Sequence, residues 1–404
     1  MAGIYIHIPF CNSKCAYCGF YSLPSLKLKE QFWEALKAEI VARKDYLKQR
    51  SHCGLAPQSP SLLQSHHTPP INTIYFGGGT PSLLSIKEIS ELLHLIKETY
   101  PAAENTEITL EANPDTLSLE YLKGLRQLGV NRLSIGIQSF FDNDLNYLSR
   151  RHDSQHARQC IDWAKQAGFS NISIDLIYGL PTSNVKQWNR NLDLFFALDL
   201  PHLSAYALTL EPNAILTKQI ELGKMPPVNE EDALRDYNIL CQRAKENGFL
   251  HYEISNFCKM GMHSKHNASY WFGTPYLGLG PSAHSYDGIS RQWNVSNLEK
   301  YCQRVPEPAV PEGPRRVEGP AFEKEQLSLE QHYDEYVMLR LRTHWGIDLK
   351  YMKREMGERF SSYCEQHAQT LIAQGRLSQT REFLYLTDAQ MLFADGVAEE
   401  LFWE

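Results

Sequence analysis

The sequence predicts an α/β protein: a partial, TIM-like (β/α)6 barrel over residues 1–300, followed by a smaller α+β, winged-helix-like domain over 321–404. Two observations carry this. From Ile4 to about Tyr206, short β-rich runs alternate with helix-like segments, a rhythm that gives a parallel sheet with helices packed outside it. A Pro/Gly-rich linker at 301–320, ending VPEPAVPEGPRRVEGP, then separates that alternation from a mainly helical tail.

The strand candidates, in order, are Ile4–Ile8, Thr73–Phe76, Glu107–Glu111, Arg132–Ile137, Ile172–Ile177 and His202–Ala207. Each is apolar and bounded by Gly, Pro or Asn. Between them Lys29–Leu47, Ile86–Thr99, Leu119–Leu128, Ser154–Ala167 and Val185–Leu198 carry apolar residues at helical spacing. Six units suit an open barrel better than a closed eight-fold one, and barrel chemistry sits at the C-terminal ends of the strands. Residues 49–70 interrupt the rhythm with Ser, Pro, His and Gln. They read as a surface insertion, with His52, Cys53, His66 and His67 in a solvated loop rather than on a metal. In the tail, Leu327–Arg342, Leu349–Phe360 and Ser362–Gln374 read as helices and Phe383–Thr387 as a short strand. The tail is not notably basic, so it reads as a packing domain rather than a DNA reader.

Composition narrows the function. The chain has 404 residues, 43% hydrophobic and 22% charged, enough for a large core. A net charge of -7 gives no electrostatic reason to seek nucleic acid. No apolar stretch is long enough to span a membrane, which leaves only peripheral association open. The N-terminus lacks the features of a signal peptide, so a cytoplasmic setting is expected. Three of the nine cysteines crowd into residues 11–18. In a reducing compartment such a cluster favours metal over disulfides.

The chemistry-bearing motifs follow the strands. Cys11, Cys15 and Cys18 form CxxxCxxC, and three thiolates can wrap one face of a compact cluster. An iron–sulfur cubane usually takes four cysteines, so three leave one iron open. The alternative is a zinc site completed by a histidine such as His7. Gly77-Gly78-Gly79-Thr80-Pro81 ends the second strand, where glycines let backbone approach a ligand closely, although alone the run could be a tight turn. Glu111, Gln138 and Asp175 lie at or near strand ends, and Arg150 follows the Gln138 strand. Singly these are caps or surface groups. Together they suit a ligand with an ammonium, a ribose and a cationic sulfur.

In this order the motifs resemble radical S-adenosyl-L-methionine (SAM) proteins, most closely the oxygen-independent coproporphyrinogen III oxidase group. The resemblance rests on Ile4-Tyr-Ile-His-Ile-Pro-Phe-Cys-x3-Cys-x-Tyr-Cys, GGGTP, Glu111-Ala-Asn-Pro, GIQSF, Ile174-Asp-Leu-Ile-Tyr-Gly-Leu-Pro and Leu277-Gly-Leu-Gly-Pro-Ser-Ala-His-Ser. The oxidase itself has a longer N-terminal extension and a cysteine where Phe20 stands here. His266-Asn-x2-Tyr270-Trp271 instead resembles the haem-chaperone branch of the group.

The resemblance implies a 4Fe–4S cluster on Cys11, Cys15 and Cys18, with the amino and carboxylate groups of SAM on the fourth iron. It implies that Gly78, Gly79 and Thr80 contact the methionine part of SAM, and that Tyr5, Glu111, Gln138, Arg150 and Asp175 surround it. It makes His266 a haem contact, with Tyr270 and Trp271 lining the pocket, although by residue type alone His266 reads as a hydrogen-bonded structural histidine. The implied function is haem binding and transfer to a recipient haem protein, such as a respiratory-chain component. The alternative is oxygen-independent coproporphyrinogen III oxidation, or another radical reaction on a tetrapyrrole. Turnover of SAM, and the choice between monomer and dimer, stay open.

Overall fold

The computed structural model describes residues 2–48, 69–304 and 322–404. The first part runs β1 (Ala2–Ile8), α1 (Lys29–Ala42), β2 (Ile71–Gly78), α2 (Ile86–Thr99), β3 (Ala102–Ala112), α3 (Leu119–Gln127), β4 (Arg132–Gln138), α4 (Asp142–Tyr147), α5 (Ser154–Gln166), β5 (Asn171–Tyr178), α6 (Val185–Ala197) and β6 (His202–Ala207). Strands β1 to β6 lie side by side in chain order and pair in parallel. The helix starts are local chemistry. Ser85 forms a capping box with Glu88, and Ser118, Asp153 and Asn184 each accept a backbone N–H of the following turn. Helix α1 ends at Ala42, short of the expected Leu47, and the chain continues as turns.

The strands are two-faced. Ile4, Ile6, Ile8, Ile74, Phe76, Leu110, Leu133, Ile135, Ile174 and Leu203 join the apolar core beneath the helices. The residues between them face the lumen, as strand pleating requires. They are His7, Thr73, Thr109, Arg132, Ser134, Ser173, His202 and Ser204, all buried and all polar. The barrel interior is therefore a polar chamber.

The sheet does not stop at six strands. After β6 come α7 (Ile215–Glu221), α8 (Glu230–Glu246), β7 (Leu250–Glu253), β8 (Asn256–Cys258), α9 (Lys265–Trp271), β9 (Tyr276–Leu279), β10 (His284–Tyr286), β11 (Ser290–Asn294), α10 (Leu298–Arg304) and β12 (Phe322–Gln326). Strand β8 pairs antiparallel with β6, and β9 pairs parallel with β1, giving one twelve-stranded sheet. Strands β7 to β12 escape sequence reading because they are only three to five residues long. Helix α10 takes up 301–304, the start of the expected linker. Residues 305–320 of that linker, and the insertion to 68 with His52, Cys53, His66 and His67, lie outside the described residues.

The tail folds as α11 (Leu329–Leu341), β13 (Ile347–Asp348), α12 (Leu349–Glu355), α13 (Glu358–Ala373), β14 (Ser378–Gln379), β15 (Phe383–Tyr385) and α14 (Ala394–Glu399), around its own apolar cluster. Helix, strand, two helices and two strands in that order is the winged-helix arrangement. The expected single helix over 349–360 is broken at Gly357, whose φ of 103° only glycine adopts readily. Backbone bonds fasten this module to the barrel, from Ile254 N–H to the Arg342 carbonyl and from His344 N–H to the Tyr252 carbonyl, both 3.1 Å.

Candidate functional site

The loop after β1 is closed at its stem. Leu23 N–H donates to the Pro9 carbonyl at 2.7 Å, and Cys11 N–H donates to the Leu23 carbonyl at 3.1 Å. Its tip is anchored through Ala16, which packs with Leu148, Ile177, Leu180, Leu208 and Leu216. This leaves Cys11, Cys15 and Cys18 partly exposed at the C-terminal end of β1.

Two of the sulfurs are already hydrogen-bonded. Thr80 Oγ1 donates to Cys11 Sγ at 3.4 Å, and Arg150 Nη1 donates to Cys15 Sγ at 3.3 Å. Between them Asn113 donates to Thr80 Oγ1 at 3.0 Å and accepts from Arg150 Nη2 at 2.6 Å. The relay Cys11–Thr80–Asn113–Arg150–Cys15 thus ties the loop to the ends of β2 and β3. Burial pushes the Cys18 thiol up, and the neighbouring Cys15 and Cys11 add to that.

These residues fit a three-cysteine iron–sulfur cluster. Hydrogen bonds to sulfur favour thiolate and tune a cluster's potential. The other described cysteines lie on α5, α8, β8, α10 and α13, so none joins the set. The zinc alternative fits poorly. A single zinc draws its thiolates to within about 4 Å of each other. Among the described residues no three His, Cys, Asp or Glu side chains converge on one ion position. His7 also has both nitrogens engaged, Nε2 donating to the Tyr21 carbonyl at 2.9 Å and Nδ1 accepting from the Tyr5 hydroxyl at 3.4 Å.

The glycine run packs β2 against the end of β1. A Cβ on Gly79 would stand 2.6 Å from the Phe10 carbonyl oxygen and 2.9 Å from that of Ile8, and one on Gly78 would stand 2.8 Å from the His7 ring. Gly78 has φ 105° and donates its N–H to Glu111 Oε2 at 3.2 Å. The glycines therefore set the position of the cysteine loop.

The remaining rim residues gather nearby. Glu111 Oε1 accepts from the Tyr75 hydroxyl at 2.7 Å. Burial in the lumen, with the charge of Asp175 adding, raises Glu111 to about 7. Burial likewise raises Asp175 to about 6, against the opposing pull of Arg132. Ser134 Oγ donates to Asp175 at 3.3 Å. Gln138 has φ 67° where the β4–β5 register slips. Gly136 leaves room beside it, since a Cβ there would meet Gln138 Nε2 at 2.8 Å and Arg150 Nη2 at 3.3 Å. Tyr5 stacks on Tyr75 at 6.0 Å. The structure thus gathers Gly78, Gly79, Thr80, Glu111, Gln138 and Arg150 near the cysteines, with Tyr5 and Asp175 in the adjoining lumen. Asn113, Tyr75, Ser134 and Arg132 belong to the same chamber and were not singled out from sequence. For Tyr75, Ser134 and Arg132 the signal was the polar–apolar alternation of the strands, and for Asn113 its place just after β3.

His266 and Tyr270 are placed elsewhere. His266 is buried against the start of β1 and β2, with Nδ1 bonded to Thr73 Oγ1 at 2.7 Å and Nε2 to the Tyr270 hydroxyl at 2.8 Å. Burial, helped by Arg132, lowers its pKa to about 3. These two hydroxyls orient the ring. Trp271, in contrast, is only partly buried.

Comparison with known proteins agrees with this geometry. Residues 5–195 match the radical SAM superfamily, and residues 327–393 match the HemN C-terminal domain. The chain is 31% identical over 400 residues to the haem chaperone HemW of Bacillus subtilis (strain 168), covering 98% of both chains. It is 35% identical over 319 residues to the haem chaperone HemW of Synechocystis sp. (strain ATCC 27184 / PCC 6803 / Kazusa), covering 74% of this chain and 72% of the relative. Among solved structures, coproporphyrinogen III oxidase (HemN) from Escherichia coli superposes with a TM-score of 0.80 at 22% identity, covering 99% of this chain and 90% of that one.

Proposed function

The chain belongs to the HemW family of radical SAM proteins, and from that membership we propose that it is a haem chaperone. It binds haem, a 4Fe–4S cluster and SAM, and passes haem to a recipient haem protein such as a respiratory-chain component. The observation that carries the cofactor part is the relay joining Cys11 to Cys15 through Thr80, Asn113 and Arg150.

In this reading Cys11, Cys15 and Cys18 hold the cluster, which supplies an iron with an open coordination position and a source of one electron. The chain's own part is binding and positioning. Thr80 and Arg150 orient two sulfurs. Tyr5, Gly78, Gly79, Gln138, Glu111 and Asp175 form the SAM-facing wall. The raised Glu111 and Asp175 are hydrogen-bonding groups that an ammonium or a ribose would draw into the charged form. For haem, His266 would be the contact, with Tyr270 and Trp271 lining the pocket, and the Thr73 and Tyr270 hydroxyls orient its ring.

The division at 301–320, a cytoplasmic location and a monomeric or dimeric state remain part of the proposal. Among the described residues no helix is long and apolar enough to cross a membrane. The test is anaerobic reconstitution followed by haem titration with a Soret readout. Saturable binding by the full chain supports the chaperone, and its absence rejects it.

A further inference from the structure

A bare cation lies inside the barrel. Arg132, the first residue of β4, faces the lumen and is 1% exposed. Its Nε and Nη1 are buried without a hydrogen-bond partner, and no ion pair reaches it among the described residues. Thr109, beside it on β3, also keeps Oγ1 buried and unpartnered. The strand register sets Arg132 one inward-facing position below Ser134, which is level with Glu111 and donates to Asp175.

A guanidinium keeps its charge in a protein. Taking one out of water costs several kcal/mol unless opposite charge compensates it. In the lumen that opposite charge comes from Glu111 and Asp175, both of which Arg132 draws towards the ionised form. These two carboxylates also repel each other. Left alone, such a pair holds on to one proton between them.

We infer that Arg132 is a positioning residue for SAM: its fixed charge lets Glu111 and Asp175 be ionised together, and the single negative charge that remains selects cationic SAM over neutral S-adenosylhomocysteine.

The charges match. SAM carries a sulfonium and an ammonium against one carboxylate, and S-adenosylhomocysteine lacks the sulfonium. Arg150 does not enter this balance, since it is bonded to Cys15 and Asn113. A guanidinium that merely filled the barrel floor would be bonded there, as the buried Arg340 is to the Gly346 carbonyl at 2.8 Å. The other groups facing the carboxylates hold one form through the neutral range. Burial keeps the hydroxyls of Tyr5, Tyr17, Tyr75, Tyr206 and Tyr270 protonated. It keeps His202 and His266, which also feel Arg132, neutral. Glu253, on β7 and bonded to Asn256, is the exception, raised by burial to about 7. It therefore serves as a control.

The inference rests on the SAM-binding reading, and the experiment separates the two. Affinities for SAM and for S-adenosylhomocysteine are measured by equilibrium dialysis on the anaerobically reconstituted full chain, from about pH 5.5 to about pH 8.5. Wild type is compared with Arg132→Met and Glu253→Gln. In wild type, SAM affinity rises with pH as the carboxylates ionise, while S-adenosylhomocysteine affinity changes far less. In Arg132→Met the SAM rise moves up by about one pH unit, the low end of what a neighbouring charge does to a carboxylate. The variant then binds SAM up to about tenfold more weakly below the midpoint and at least as tightly as wild type above it. A merely structural defect does not give that crossing. Glu253→Gln keeps the wild-type midpoint. In the cofactor-free chain, Arg132→Met extends the loss of stability with rising pH by the same interval, read by urea unfolding.

An unmoved midpoint in Arg132→Met, an equal loss of both ligands at every pH, or a moved midpoint in Glu253→Gln overturns the role of Arg132 and leaves SAM binding intact. No SAM binding by wild type at any pH overturns both. If Arg132→Met does not fold, Arg132→Gln removes the charge and keeps a polar side chain, with the same outcomes expected.

Discussion

Arg150 donates to Cys15 Sγ at 3.3 Å through Nη1, while its Nη2 holds the Asn113 side chain at 2.6 Å and the Gly136 carbonyl at 2.8 Å. One guanidinium therefore fixes a cysteine, a side chain beyond the end of β3 and the backbone of β4 together. Lysine keeps the charge but loses the planar fork. Arg150→Lys should retain iron and sulfide near wild-type content and bind SAM roughly ten- to a hundredfold more weakly, since a charged hydrogen bond contributes roughly 1.5–3 kcal/mol. Equilibrium dialysis with SAM and iron analysis on the same sample check this.

Gly79 is the tightest backbone approach in the glycine run, with its N–H on the Ile8 carbonyl at 2.8 Å. Gly79→Ala places a methyl against two backbone oxygens that cannot move aside. The expected outcome is a loss of roughly 1–3 kcal/mol of stability by overpacking, with reduced cluster loading because the cysteine loop is displaced. Thermal denaturation and iron content measure the two effects separately.

Glu111 gives a pH signature in the cofactor-free chain. Its carboxyl holds a proton up to about pH 7 when folded, against 4.5 ordinarily. Between those values the unfolded chain binds fewer protons than the folded one, so stability is full below about pH 4.5 and falls as pH rises towards 7. Glu111→Gln should remove about 1–3 kcal/mol of that fall. Asp175, raised in the same direction, contributes the remaining slope. Urea unfolding at a series of pH values checks it. An unchanged slope in the variant contradicts the assignment.

His266→Ala removes a buried ring bonded on both sides, to Thr73 and Tyr270. A loss of about 2–4 kcal/mol in stability is expected from the cavity and the two stranded hydroxyls. Haem binding should also weaken in the fraction that stays folded, because the proposed contact is gone. Calorimetry and a Soret titration on the same preparation decide.

Much of this was legible in the sequence. Helix α2 runs from Ile86 to Thr99 as its apolar spacing indicates. The cysteine loop and strand-end polar residues come together because a parallel barrel puts all strand C-termini on one rim. The polar lumen was written in runs such as Arg132-Leu-Ser-Ile-Gly-Ile-Gln, but those runs read as uniformly buried, since both faces are covered. The edge strands β7 to β12 are too short for a periodic signal. What His266 does depended on its neighbours Thr73 and Tyr270, which only folding brings to its two nitrogens.

The central claim is that three cysteines hold a cluster whose remaining iron is free to take SAM. The most direct measurement is electron paramagnetic resonance of the anaerobically reconstituted, reduced full chain, with and without SAM, beside Cys15→Ala. The account predicts a cluster signal that SAM shifts in wild type, and no such signal in Cys15→Ala although the variant still folds. A wild-type signal unmoved by saturating SAM, or a full cluster in Cys15→Ala, would contradict it.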